Sequence, residues 1–386
     1  MKITKLEIYH LQAKIAPSFG WSQGWTDTRS TGLVKITTDS GLEGWGEGAG
    51  GAASTIIQET FAPILLGQDP TNRTGLWQKM YDSLYNANLV GGFGAPAISA
   101  VDTALWDLTG KALGVPVSDL LGGRVRDKVA VYATGLYYTE GEFPNRLPDE
   151  ARSYVDQGFK GMKTKVGGLT LEQDVRRVSA LREAIGPEVY LAVDANQAYN
   201  PAAAIRIGEA LADQDIAWFE EPVGASDLAG YQQVKAALTM PVAGGECLRT
   251  RFDFRDFLAE RALDIAQPDI MPAGGLTEMR RIADMANAFG ILVYPHVWGS
   301  PVMIAASLHL ASTILPCPPA RQPQPYLQEP VMEFDRTPNP IRETLCAQPF
   351  TQTDGFIPVP DGQGLGIEID ATTLERLTVK YDSCEQ

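Results

Sequence analysis

Histidine is scarce: His10, His296 and His309 are the only three in 386 residues. Zinc, which favours imidazole ligands, is therefore the less expected metal. Cysteine is scarce as well. Cys247, Cys317, Cys346 and Cys384 show no CxxC spacing, so neither a zinc ribbon nor a redox pair is indicated. Four scattered thiols fit a reducing compartment. Basic residues are outnumbered, 32 Lys and Arg against 47 Asp and Glu, for a net charge of −15. Nucleic acid and anionic membranes select basic surfaces, so neither is an expected partner. No apolar run reaches the length of a membrane span. The opening KITKLEIYHL reads as a strand with no charged-then-apolar leader, so a cytoplasmic location is expected.

What remains is a large apolar share, 44% of residues, in a chain long enough for two domains, one of them a barrel of 200 residues or more. Residues 2–12 and 32–39 alternate apolar and polar like strands with one wet face, and SGLEGWGEG after them predicts a tight hairpin. PSFGWSQGWTDTRS between the strands reads as a loop, either an aromatic lid or a small cluster packed under the sheet. Helical patterns follow at about 53–66, 73–86 and 95–113, then GVPVSDLLGG stops them. Strands followed by helices mark an α+β unit over 1–125. From VAVYATG the pattern alternates strand and helix, which predicts a barrel over 126–330 whose last strand, PYLQEP, ends on Glu329. The Gly- and Pro-rich remainder, 331–386, is expected to pack back on the first unit.

The barrel region carries the chemistry. VYLAVDAN, IAWFEEP, PVAGGE, LDIAQPDI and ILVYPHV are short apolar strands ending on Asp194, Glu220, Glu246, Asp269 and His296. Those residues lie 26, 26, 23 and 27 apart, the length of one βα repeat. In a parallel barrel all strand C-termini meet on one face, where such enzymes keep their active sites. FKGMKTKVG adds Lys163 and Lys165 one repeat earlier, two apart and so on one side of the strand.

Any one of these acids could merely cap a helix or pair with a basic neighbour. Three on consecutive strand ends crowd negative charge, which a cation would relieve, and hard oxygen ligands suit Mg²⁺, or Mn²⁺ in its place. Glu221, next to Glu220, is expected on the opposite face in a supporting role. Two neighbouring ammonium groups beside a metal depress each other's pKa, which makes a lysine a candidate base. Asp269 and His296 could form a dyad in which the acid orients the imidazole. A metal flanked by bases defines a reaction type: the metal takes a substrate carboxylate, a base removes the proton on the adjacent carbon, and the metal stabilises the enediolate. A lysine pair could instead be a Schiff-base aldolase site, although that chemistry has no use for three metal-binding acids.

MKTKVG, VDAN, WFEEP, AGGE, QPD and PHVWG, in that order, resemble the mandelate racemase branch of the enolase superfamily. GWGE, SAVDTALWDLTGKALGVPVSDLLGG and GLGIEID extend the resemblance over nearly the whole chain. It implies a modified (β/α)₇β barrel under an α+β capping domain, with Asp194, Glu220 and Glu246 as Mg²⁺ ligands. It further implies Lys165 on one face of the substrate, His296 with Asp269 on the other, and Lys163 on the substrate carboxylate. Glu329 takes the place of a carboxylate-contacting glutamate, and Asn196 of VDAN is a further candidate for substrate binding. The expected partner is a small carboxylate, and a homo-oligomer is expected. The tail runs EPVMEFDRTPNPIR and IPVPDGQGLGIEI are most similar to galactarolactone cycloisomerases. The implied activity is loss of the α-proton of a sugar acid or its lactone, with expulsion of a ring oxygen. The alternatives are a dehydratase that expels water and a racemase or epimerase.

Overall fold

The computed structural model describes residues 1–48, 50–141 and 146–385. Three antiparallel strands open the chain: β1 (Ile3–Trp21), β2 (Gly24–Thr38) and β3 (Glu43–Gly48). Eight parallel strands follow, β4 (Lys128–Thr134), β5 (Gly161–Lys165), β6 (Tyr190–Asp194), β7 (Ile216–Glu220), β8 (Val242–Gly244), β9 (Ile265–Ala266), β10 (Leu292–Val293) and β11 (Val331–Asp335). A helix lies between each consecutive pair, from Leu147–Asp156 to Pro301–Thr313. β12 (Phe356–Pro358) then runs antiparallel beside β4, and β13 (Thr378–Glu385) pairs with β1. The first sheet has the order β13-β1-β2-β3; the second winds from β10 through β4 to β11. Between β10 and β11 no ladder forms, but Glu333 N donates to Pro295 O at 3.3 Å and draws the seam together. This is a (β/α)₇β barrel beneath an α+β cap.

Local chemistry explains the elements. Helix Leu171–Ile185 starts at Thr170, whose hydroxyl accepts Gln173 N while the Gln173 side chain accepts Thr170 N, satisfying two otherwise orphaned donors. The barrel interior holds Tyr132, Ala192, Trp218, Ala243 and Tyr294, large rings alternating with alanines around the wall. In the cap, β3 lies on helix Ala95–Leu113. A Cβ on Gly44, Gly46 or Gly48 would come within 2.3, 1.9 or 2.3 Å of a helix carbonyl oxygen. The glycines of SGLEGWGEG thus serve close sheet-to-helix packing as well as the hairpin turn. Cap and barrel are joined by Glu47, whose carboxylate accepts the N–H groups of Ser300 and Met303 at the start of helix Pro301–Thr313. Asp102 accepts Thr277 N and Oγ1 at 2.9 and 2.6 Å across the same interface.

Two expectations need correction. The stretch 17–30 is not a loop: β1 and β2 continue through it to a tip at Ser22–Gln23. Its glycines are covered rather than free, since Gly20 faces Trp25 and Gly24 faces Trp21 across the hairpin. An aromatic ring over a cross-strand glycine restores the packing that glycine lacks. The final barrel strand is not PYLQEP but Val331–Asp335, so the barrel extends past residue 330. The prolines at 325 and 330 keep 325–330 out of the ladder, where β11 pairs residue for residue with β4.

Candidate active site

Register brings the acids and bases together. Lys165 pairs with Asp194 and Asp194 with Glu220 on adjacent strands, so all three stand in one row at the strand ends. Glu246 follows β8 after Gly245, which takes a φ of +122° to turn the chain. Asp269 and His296 are bridged on neighbouring strand ends. Asp194, Glu220 and Glu246 each bring a carboxylate oxygen within 4.8 Å of the others.

The lysines are buried among these acids. Lys165 Nζ lies 2.5 Å from Asp194 Oδ2 and 5.0 Å from the centre of the Tyr137 ring. Lys163 Nζ contacts Glu220 Oε1 and lies 3.2 Å from Glu333 Oε1. Burial alone would lower both lysine pKa values. Against it, Asp194, Tyr137 and Glu246 together raise Lys165, and Glu220, Glu333, Tyr132 and Asp194 together raise Lys163, so that both ammonium groups are favoured in this arrangement. Lys163 does lower Lys165, in the sense expected from two neighbouring ammonium groups, but by less than Asp194 raises it.

The second face is built on His296. Its Nδ1 lies 2.5 Å from Asp269 Oδ2, and Asp269 is itself fixed by Met271 N at 2.7 Å. That contact keeps the proton on Nδ1 and turns Nε2 inward, 3.2 Å from both Glu246 Oε2 and Glu333 Oε2. Burial lowers the imidazole pKa, but Glu333, Glu246 and Asp269 together drive it well above the ordinary value. Glu333 moves the other way, to about 2: burial raises it, and Lys163 and His296 lower it further.

Glu329 is not in this group. It precedes β11, and its carboxylate faces Arg126 at 3.5 Å, near the start of β4. The glutamate between Lys163 and His296 is Glu333, four residues later, held also by Val297 N at 3.1 Å. The signal for it was present: a charged residue at the centre of the apolar strand VMEFD. Glu221 departs from strand alternation because its φ of +41° swings it back. It is fully buried and joins Glu246 and Cys247 in a second cluster beside the first. Asn196 lies at the rim, its N–H on Asp194 Oδ1 at 2.7 Å and its Oδ1 buried without a hydrogen-bond partner.

The cap closes over the centre. Ser22 Oγ and Gln23 Nε2 at the hairpin tip donate to the carbonyls of Ala195 and Asn196 at 2.7 and 2.6 Å. Gly20 and Tyr138 exchange a pair of backbone hydrogen bonds beside them. A cleft of about 820 Å³ opens outside this contact, lined by Phe19, Trp25, Tyr137 and Arg336 among others. Tyr137 is the wall it shares with Lys165.

Three oxygen-donor side chains, two buried and Glu246 half-buried, with Glu246 Oε2 in an ion pair to His296 at 3.2 Å but making no hydrogen bond, fit a hard divalent cation. Burial and its two acidic neighbours push the Glu246 carboxyl up to about 7 although His296 opposes them, a strain that a cation would relieve.

The fold sets Lys165 and His296 on facing walls of a barrel with a carboxylate cluster between them. Comparison with known proteins agrees. Residues 3–122 match the mandelate racemase/muconate lactonizing enzyme N-terminal domain, and residues 146–373 match the enolase C-terminal domain-like family. The chain belongs to the mandelate racemase/muconate lactonizing enzyme family of the enolase superfamily. It is 38% identical to the D-galactarolactone cycloisomerase of Agrobacterium fabrum over 97% of this chain and 98% of that one. Among solved structures, the 3,6-anhydro-D-galactonate cycloisomerase of Zobellia galactanivorans is 39% identical with a TM-score of 0.87, covering 98% of this chain and 100% of that one. A variant L-talarate/galactarate dehydratase liganded with Mg and L-glucarate is 28% identical with a TM-score of 0.86, covering 100% and 94%. No helix among the described residues is long and apolar enough to cross a membrane.

Proposed function

We propose that the chain is a Mg²⁺-dependent cycloisomerase acting on a sugar-acid lactone or anhydro ring. Asp194, Glu220 and Glu246 would hold the metal. When bound, Mg²⁺ supplies positive charge that attracts the substrate carboxylate and offsets the charge that builds there. Lys163 and Glu333 flank that carboxylate, and Asn196 borders it. A cation on Asp194 would offset the carboxylate charge that holds the Lys165 ammonium; neutral Lys165 Nζ then removes the α-proton, the C–H electron pair passes toward the carboxylate, and its return expels the oxygen on the β-carbon. His296, oriented by Asp269, gives its Nε2 proton to that oxygen; tautomerisation of the enol leaves a 2-keto acid. The observation that carries this reading is the placement of Lys165 on β5 and His296 beyond β10, strands two and seven of eight, either side of one carboxylate cluster.

The same steps with a free hydroxyl as leaving group make a dehydratase. The likeness to the talarate/galactarate enzyme keeps that second reading in view. Aldonates, aldarates and their lactones, followed by NMR in D₂O with and without Mg²⁺, separate the two. A lactone consumed without net loss of water supports the cycloisomerase. Neither turnover nor α-deuterium exchange with any carboxylate, with Mg²⁺ present, overturns the proposal.

A further inference from the structure

Glu220 differs from the other two acids of its cluster in what holds it. Its Oε2 accepts Gln267 Nε2 at 2.6 Å and Trp218 Nε1 at 3.0 Å. Its Oε1 faces Lys163. All three side chains are almost wholly buried, Gln267 at 0% exposure and Trp218 at 1%.

The sequence builds this arrangement in two ways. Trp218 is two residues before Glu220 on β7, so its indole lies on the same inner face, directly below the carboxylate. Ala192 and Ala243 flank it on β6 and β8, small enough to leave the indole room. Gln267 follows β9, two strands away, and its own N–H is fixed on Gly244 O at 2.8 Å. It crosses above Ala243 to reach Glu220.

The Gln267 amide is a poor investment for stability alone. Its Oε1 is buried with no hydrogen-bond partner, which is unfavourable, so its one made contact is the one to Glu220. Amide orientation is not in question, because a carboxylate can face only the NH₂ end. A glutamate χ3 torsion is soft and roughly two-fold, and two donors converging on one oxygen fix it.

We infer that Trp218 and Gln267 are positioning residues: they tether Oε2 of Glu220 and leave Oε1 as the oxygen offered to the cation. Glu220 would then have one oxygen to offer, the one that Lys163 now contacts. This rests on Glu220 being a metal ligand, as proposed above. Groups that orient a ligand from behind typically contribute 10–100-fold in metal affinity.

The test is calorimetric titration of Mg²⁺ into the unaltered chain, Gln267→Met and Trp218→Phe, with thermal melts of each in chelator. Met keeps the volume of Gln267 without a donor, and Phe keeps a ring without the indole N–H. Mg²⁺ should bind about 10–100-fold more weakly to Gln267→Met, with a smaller loss in Trp218→Phe. In activity assays the Mg²⁺ concentration for half-saturation should rise by the same factor, while kcat at saturating Mg²⁺ falls much less. Unchanged Mg²⁺ affinity in both variants, with or without a lowered melting temperature, would make these residues merely structural and overturn the inference. Absence of Mg²⁺ binding by the unaltered chain would instead overturn the metal reading, and this inference with it.

Discussion

His296 and Glu333 meet across the seam of the barrel: Nε2 lies 3.2 Å from Oε2 at the one junction where neighbouring parallel strands form no ladder. The backbone bond from Glu333 N to Pro295 O holds the two strand ends beside each other. Glu333 reaches Lys163 with its other oxygen, so one carboxylate links the two walls of the site.

Removing that link should be felt in catalysis. Glu333→Gln keeps the shape and loses the charge, and kcat/KM should fall about 10–100-fold, the range seen when groups supporting an active centre are altered. Glu329→Gln should leave kcat/KM essentially unchanged, because its partner is Arg126 outside the site. Steady-state kinetics of the two variants side by side decide it; the reverse ranking would restore Glu329 to the site.

Exchange and turnover should separate at the two bases. Lys165→Ala is expected to lose both α-proton exchange and product formation, by about 10²–10⁴-fold. His296→Asn should lose turnover while retaining some exchange of the α-proton into D₂O. Proton NMR of recovered substrate reads the difference. Exchange that survives in Lys165→Ala and vanishes in His296→Asn would give the base role to the His296–Asp269 pair.

Two buried groups far from the chemistry should give opposite pH slopes. Burial lowers His309 to about 4, below the ordinary value near 6.5. As pH falls through that interval the unfolded chain binds a proton that the folded one refuses, so stability is lost. Burial raises Asp102 to about 7 against the hydrogen bonds from Thr277, so here the folded chain binds the proton first. Its contribution is present below about pH 4 and is lost as pH rises through 7. Relative to the unaltered chain, Asp102→Asn should therefore gain stability from pH 5 to pH 8, and His309→Gln should gain it from pH 7 to pH 4.5. Each change is on the order of a few kcal/mol at most. Urea unfolding across this range would show it; parallel profiles for variant and parent would refute the assignment.

Gly46→Ala tests the cap. The added methyl would sit 1.9 Å from Ala100 O, a backbone atom that cannot step aside. Destabilisation of about 1–3 kcal/mol or more is expected from overpacking. Gly41→Ala, where nothing lies within 4 Å of the new Cβ, controls for backbone strain, since Gly41 has a φ of +79°. Equal melting temperatures for Gly46→Ala and the parent would show that sheet and helix can separate without cost.

The barrel was legible because its signals repeat. A strand that ends on an acid, followed by an amphipathic helix of similar length, fixes both the fold and the row Lys165, Asp194, Glu220. What was misread lay where a local rule was overridden by a neighbour. Gly20 and Gly24 look like loop residues until Trp25 and Trp21 are seen lying across them. Glu221 should point away from Glu220 by alternation, but its positive φ reverses it. YLQEP resembles the end of a strand and draws attention to Glu329, whereas the true strand starts after Pro330 and carries Glu333. Trp218 and Gln267 gave no signal at all, since a core indole and an amide in QPDI are unremarkable until their shared acceptor is known.

The strand β13 lies against β1, and Tyr381 reaches back to Glu7 across 374 residues of chain. On a ribosome, β1 and β2 emerge long before the partner that covers their outer edge. Until then the nascent cap carries an open strand edge, the kind of surface on which chains aggregate. The edge is charged where β13 will lie: Lys5 and Glu7 alternate along it. In the finished protein Glu7 is buried under Tyr381 and Lys5 pairs with Glu385; before β13 arrives the same two charges would protect the growing chain while the whole barrel is being made.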